Sequence, residues 1–110
     1  MVSSRFPIPQ GTLDMLILQI LSLEPAHGYA IARRLQQISR EVVHVNQGSL
    51  YPALHRFEAR GWVTSYWLTT ENNRIARYYQ LTPEGREALS DEIGVWRAYA
   101  GAMTLVIQAR

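Results

Sequence analysis

The sequence contains neither cysteine nor lysine, and only 18% of its 110 residues are charged, below the about 25% common in soluble domains. Without cysteine, disulfides and thiolate metal sites are excluded, which suits a reducing compartment. The three histidines, His27, His44 and His55, do not fall at metal-ligand spacing. No glycine-rich phosphate loop occurs, no Ser-His-Asp grouping is visible, and Ser49 after Gly48 lacks the strand-turn-helix setting of a nucleophile elbow. An enzyme reading therefore has no residues to rest on, and no metal or cofactor is expected. The greasiest stretch, LDMLILQILSL at 13–23, is broken by Asp14 and Gln19 and is too short to span a bilayer. The chain opens without a basic segment, an apolar run and a small-residue cleavage site. The expectation is a soluble, cytoplasmic protein with no membrane partner.

What is present is arginine. It supplies all eleven basic residues, for a formal charge of +2 and a pI near 9.3. Guanidinium forks suit phosphates and guanine edges, although a GC-rich genome also enriches arginine through codon usage alone. The distribution is more informative. Arg33, Arg34, Arg40, Arg56 and Arg60 share their stretch with only Glu41 and Glu58, whereas Arg86, Arg97 and Arg110 share theirs with Glu84, Glu87, Asp91 and Glu92. A positive face belongs to the middle of the chain. The length allows one small domain with a modest core. With 47% hydrophobic residues, that domain is either well buried or hides surface against a partner.

The first nine residues read as a loose arm. A helix is predicted over 10–23, with Thr12 as a candidate cap and Pro25 enforcing its end. Apolar residues, Met15 among them, surround its axis, a pattern of burial on more than one side; in so short a chain the second side calls for another subunit. HGYAIARRLQQIS at 27–39 gives a second helix, with Ile31, Leu35 and Ile38 toward the core and Arg33, Arg34 and Gln37 exposed. In NQGSLYPALHRFEARGWV, at 46–63, Leu50, Leu54 and Phe57 repeat that spacing and Gly61 ends a third helix. Pro52 fits cheaply only in a first turn, which favours Ser49 over Asn46 as the cap unless the helix starts earlier. The period then changes to two: WVTSYWL (62–68), a polar TTENN tip and RIARYYQL (74–81) form a β-hairpin. Thr82-Pro83-Glu84 starts a final helix. Along it, Leu89, Ile93, Trp96, Ala100, Met103 and Ile107 follow a heptad seam, widened by a second stripe of Val95, Tyr99, Ala102 and Val106. The fold class is mainly α with a small β-hairpin. It is a winged helix-turn-helix over 10–82 followed by a C-terminal dimerisation helix over 83–110.

At this point QGTLDMLIL, HGYAIARRLQQIS, GSLYPALHRFEARGW, ENNRIARYYQLTPEG and the later Trp96 resemble, in order and spacing, the PadR-type transcriptional regulators, in particular their short acidobacterial-type form. The resemblance covers roughly residues 10 to 107. It implies a homodimeric winged-helix repressor on an inverted-repeat operator of double-stranded DNA, responsive in some members to small aromatic or drug-like effectors. Two departures stand out. Family wings usually carry more basic residues before Tyr-Tyr, whereas here Ile75 replaces one and Arg77 takes a lysine place; Leu68 stands where glycine often follows the wing Trp. Both imply a looser grip on phosphates.

In a helix-turn-helix the second helix of the motif enters the major groove. Its outer arc here holds Pro52, His55, Arg56 and Ala59, with Gln47 and Ser49 at the N-terminal end from which base edges are read. Gln pairs with adenine, Ser with several bases, and the carbons of Pro52 and Ala53 suit thymine methyls. Tyr51 is either a phosphate ligand, as the resemblance implies, or a ring packed on the second helix, and Tyr29 carries the same ambiguity. His27 reads as a helix cap. Arg74, Arg77 and Tyr78 on the wing are the candidate sugar-phosphate contacts, with Arg33 and Arg34 adding to them. Met15, Leu89, Ile93, Trp96, Tyr99, Ala100, Met103 and Ile107 are the candidate interface and ligand-lining residues. Trp96 is either core packing between subunits or, as the resemblance implies, a stacking platform for a planar effector. The alternative function is a winged-helix module that binds protein and not DNA.

Overall fold

The computed structural model describes residues 10–110, so the arm expected at 1–9 lies outside the described residues. Helix α1 (Gln10–Leu23) is followed by a two-residue strand β1 (Ala26–His27), α2 (Gly28–Ile38), α3 (Gln47–Ala59), β2 (Val63–Thr69), β3 (Ile75–Leu81) and the long α4 (Pro83–Gln108). The fold is mostly helical with one antiparallel sheet in the order β1-β3-β2. The third strand adds Ala26 and His27 opposite Tyr79 and Tyr78, enlarging the expected hairpin. A strand of two residues carries no periodicity to read.

Helix α1 is the pillar. It packs against α2, α4 and β3, so Leu13, Met15, Ile17, Leu18, Ile20 and Leu21 are all buried by their own chain. That corrects the expectation of a second subunit around this helix, and Met15 is a core residue of the single chain. Around the pillar stand Ile31 and Leu35 of α2, Leu50, Ala53, Leu54 and Phe57 of α3, Val63, Tyr79 and Leu81 of the sheet, and Leu89 of α4. Ile38 does not join them. It is 55% exposed, because α2 ends there and the chain turns away.

Helix boundaries are set by local chemistry. His27 caps α2, its Nδ1 accepting from the Ala30 N–H at 3.3 Å, as expected. Asn46 caps α3, its side-chain oxygen accepting from the Ser49 N–H at 3.0 Å. Ser49 is therefore inside the helix and not its cap, and Pro52 sits in the helix as its sixth residue. The missing N–H of Pro52 deprives the Gly48 carbonyl of its helical donor, at a residue that is exposed to solvent. Thr12 likewise lies within α1, which begins before it. Thr82 caps α4, accepting from the Gly85 N–H at 3.0 Å. There α4 presses so closely on the β2 entry that a Cβ at Gly85 would meet the Trp62 carbonyl.

Helices α2 and α3 end in the same hydrogen-bonded reversal. After α3, the Trp62 N–H bonds the Phe57 carbonyl at 2.9 Å and the Gly61 N–H bonds that of Glu58 at 3.1 Å. Gly61 is left-handed at φ 75°, and the Phe57 and Trp62 rings pack with centroids 5.8 Å apart. The two crossed bonds and the apolar contact form a Schellman cap. After α2, the Glu41 and Arg40 N–H groups make the matching bonds to the Gln36 and Gln37 carbonyls, but the left-handed residues are Arg40 (φ 53°) and Glu41 (φ 70°). Side chains there clash with the following carbonyl. Arg40→Gly should therefore raise the stability to urea by about 1 kcal/mol, seen as a higher midpoint with an unchanged slope.

Candidate nucleic-acid interface

Helix α3 shows three longitudinal faces. Leu50, Ala53, Leu54 and Phe57 are buried, which removes Ala53 from any contact with a thymine methyl. The outward arc is Pro52, His55 and Ala59, all exposed, with Gln47 exposed and Ser49 half-buried at the N-terminal end. One flank meets α1, where the Arg56 guanidinium donates to Asp14 at 2.8 Å. Arg56, placed by the sequence on the reading face, is thus held to the pillar; an arginine's long stem lets its head choose a partner that periodicity does not reveal.

The other flank meets the wing. Here the Arg77 guanidinium donates to both Glu58 oxygens at 3.1 Å, and its Nε–H donates to the Ser65 hydroxyl at 2.8 Å. The Ser65 hydroxyl in turn donates to Glu58 at 2.7 Å. The hydrogen bond from Ser65, helped by the nearby Arg77 charge, holds the Glu58 carboxyl below its ordinary range against an opposing desolvation penalty. Arg77 also lies 6.0 Å from the Trp67 ring centroid and 5.9 Å from that of Tyr79. Burial raises the Tyr79 phenol above its usual value. Arg77 is therefore a strut between wing and helix, with its charge offset by Glu58. A β-hairpin alone is marginal; this strut, β1 pairing and the buried Val63, Tyr79 and Leu81 fix its base.

The wing tip is a three-residue loop. The Asn73 N–H bonds the Thr70 carbonyl at 3.0 Å and Thr70 and Arg74 close the ladder behind it. Asn73 takes the left-handed position (φ 60°) that such hairpins need and that Asn tolerates. Between the wing and the start of α2 runs an open cleft of about 880 Å³, lined by Tyr29, Arg33, Tyr51, Trp67, Arg74 and Tyr78 among others. Tyr51 is 37% exposed, and its hydroxyl end lies over Gly28, where a Cβ would come within 2.5 Å of the oxygen. The ring packs on α2, and the tyrosine also borders the cleft. His27 meets Tyr78 edge-on at 5.2 Å, and Tyr78 stacks on Tyr66 at 6.1 Å. Of the arginine pair on α2, Arg33 lines the cleft and Arg34 does not. Sequence reading passed over Glu58, Ser65 and Trp67. Only their alternation on the wing and their distance along α3 hinted at a meeting, and neither says which face of the wing turns toward the helix.

The far half of α4 is bare. Leu89 is 6% exposed and Ile93 packs at the edge of the core, so Leu89 belongs to the core of the single chain. Beyond them Trp96 (48%), Tyr99 (64%), Met103 (60%) and Ile107 (81%) stand in solvent, with Ala100 half-buried between them. The molecule is accordingly long, 58 × 29 × 21 Å. No helix among the described residues is long and apolar enough to cross a membrane, and they contain no cluster of His, Asp or Glu suited to a metal ion.

A helix-turn-helix with a strutted β-wing and a trailing helix is a winged-helix fold. The family model described as the transcriptional regulator PadR-like family matches residues 17–91. The chain is 42% identical to the transcriptional regulator Rv3488 of Mycobacterium tuberculosis over 57 residues, 52% of each protein. It superposes on a transcriptional regulator from Clostridium thermocellum with a TM-score of 0.81, at 25% identity over 90% of this chain and 96% of that one. The PadR family transcriptional regulator of Eggerthella lenta gives 0.78, at 29% identity over 92% and 86%. The chain belongs to the PadR-like family, and it is a transcriptional regulator of a DNA-binding type.

The depressed Glu58 carboxyl makes a prediction about acid. A group whose pKa is lower folded than unfolded stabilises the fold above its unfolded value, and that stability is lost as pH falls through the folded one. Glu58→Gln should therefore lower the urea midpoint at neutral pH. The gap between variant and wild type should narrow on acidification below about pH 4.5, and a pH-independent gap would remove the carboxylate from the strut.

Proposed function

We propose that two copies of the chain join through the outer half of α4 and bind an inverted-repeat operator as a cytoplasmic repressor. In this reading each α3 enters a major groove while the wings lie alongside. The observation that carries the reading is the placement of two unlike surfaces at opposite ends of one rigid chain. At one end, the exposed N-terminal turns of α3 and a cleft bearing Tyr29, Arg33, Tyr51, Arg74 and Tyr78 offer hydroxyls and guanidiniums to a phosphate backbone. At the other, Trp96, Tyr99, Met103 and Ile107 form an apolar rod that a single chain leaves uncovered. A rod with so little charge needs a partner, and a second copy is the simplest because a two-fold axis makes one stripe complement itself.

Base edges fall to Gln47, Ser49 and His55, the polar groups available on the outer side of α3, with Pro52 offering carbon to a thymine methyl. Arg56 reads a base only by leaving Asp14. Tyr29, Tyr51, Arg33, Arg74 and Tyr78 hold backbone, with Arg34 further out on the same helix. Trp96, half-exposed within the apolar stripe, supplies a face on which a small planar aromatic effector would stack between subunits and so alter the spacing of the two α3 helices.

Retardation of the DNA upstream of the protein's own gene, over a salt series, tests the DNA half. Affinity should fall steeply with salt as neutralised phosphates release counterions, and Gln47→Ala should cost about 1–3 kcal/mol at particular base pairs only. A flat salt response or the absence of a shift would favour a module that contacts protein instead. Sedimentation tests the other half: the wild type should run as a dimer, and Met103→Glu as a folded monomer with much weaker operator binding. A wild-type monomer at micromolar concentration would end the proposal.

A further inference from the structure

The pillar α1 carries one charged residue, Asp14, and that charge is turned toward α3. Its neighbours Leu13 and Met15 are buried, so its backbone is fixed in the core while its side chain, 20% exposed, reaches the surface. There it accepts from Nη2 of Arg56 at 2.8 Å. Arg56 is the arginine of α3, one turn beyond Pro52 and beside His55, at the border of the outward arc. Its side chain is 44% exposed, and among the described residues Asp14 is its one hydrogen-bonded partner. A part-exposed pair of this kind adds little to stability. What it does alter is the charge that α3 offers to DNA: while the pair holds, the guanidinium is matched by a carboxylate.

We infer that Asp14 is a specificity-determining residue: it withholds Arg56 from indiscriminate DNA and releases it to a guanine edge inside the operator. The inference rests on the DNA-binding reading above and concerns how that binding discriminates. An unpaired arginine beside a duplex grips phosphate on any sequence, which raises non-specific and specific affinity together. Parting Arg56 from Asp14 costs the same on every sequence and leaves a carboxylate without its cation beside a polyanion. Exchanging that carboxylate for a phosphate trades one anion for another and does not offset the cost. A guanine does. Its O6 and N7 stand side by side and take both prongs of a guanidinium, two hydrogen bonds for the one given up, and only where the sequence puts a guanine under that turn of α3. Selectivity thus comes from a penalty imposed on the wrong partner as much as from a contact to the right one. Asp14 touches no DNA in this arrangement and acts through Arg56.

The experiment uses the full chain, the fragment upstream of its own gene and a random duplex of the same length, each over a salt series. Asp14→Ala should tighten binding to the random duplex and steepen its salt slope by about one per half-site, so that the preference for the operator falls. Asp14→Asn, which keeps an acceptor but no charge, should move the random duplex the same way to a lesser extent. Arg56→Ala should weaken operator binding roughly tenfold and leave the random duplex unchanged; added to Asp14→Ala, it should return the random slope to the wild-type value. Replacing the operator guanines one at a time by 7-deazaguanine, which lacks N7, should find one position per half-site that matters to the wild type and not to Arg56→Ala. Alanine is a good helix former, and matched thermal melts check the fold. Unchanged or weakened binding of Asp14→Ala to the random duplex, or the lack of such a guanine, overturns the inference while leaving DNA binding standing. Absence of any shift by the wild type overturns both.

Discussion

Everything in this molecule is referred to α1, a helix with almost no polar side. Six of its apolar residues, Leu13, Met15, Ile17, Leu18, Ile20 and Leu21, are buried at once, and no single flat neighbour buries a helix from several directions. The chain answers by folding α2, β3 and α4 around it. Their positions are therefore not independent: α3 is set through α2 and the Arg56–Asp14 pair, the sheet through Tyr79 and Leu81, and α4 through Leu89. A domain of this size has a modest core, and concentrating it on one central rod leaves both ends of the molecule available for contacts.

A second constraint acts on the wing. A two-stranded ribbon bends and twists freely unless something fixes its base. The Glu58–Arg77–Ser65 group does so by joining the last turns of α3 to the middle of the ribbon. Its side chains are part-exposed, so its worth lies less in net stability, which such pairs supply weakly, than in the angle it fixes between helix and wing. It also changes the meaning of the wing arginines. Arg77 is engaged internally, Arg74 faces outward, and the two play different parts although the sequence presents them alike.

Much of the fold was legible because periodicity and caps are local. The two-residue period of the wing, the Thr82-Pro83 start of α4, the His27 cap and the Gly61 stop each depend on a few neighbouring residues, and the structure has them where the sequence implied. The misreadings have two causes. Ser49 looked like the cap because proline inside a helix is costly, yet Asn46 caps the helix and the turn that lacks the Pro52 N–H is at an exposed Gly48. Met15 and Leu89 were assigned to a partner because a pattern says that a residue is to be buried without saying by what.

The amino-acid order alone determined the four helices and the two long strands, most of their ends, most of the inward faces of α2 and α3 and the apolar excess of α4, since each follows from backbone preference and spacing within a few turns of chain. Only the tertiary structure decided which charged side chains are spent inside the molecule and which remain for a partner. Arg56 and Arg77 look as available as Arg33 and Arg74 in the sequence. Asp14 stands 42 residues from Arg56, and Glu58 stands 19 from Arg77; electrostatic pairing acts through space over a few ångströms and leaves no trace in the periodicity of either strand or helix.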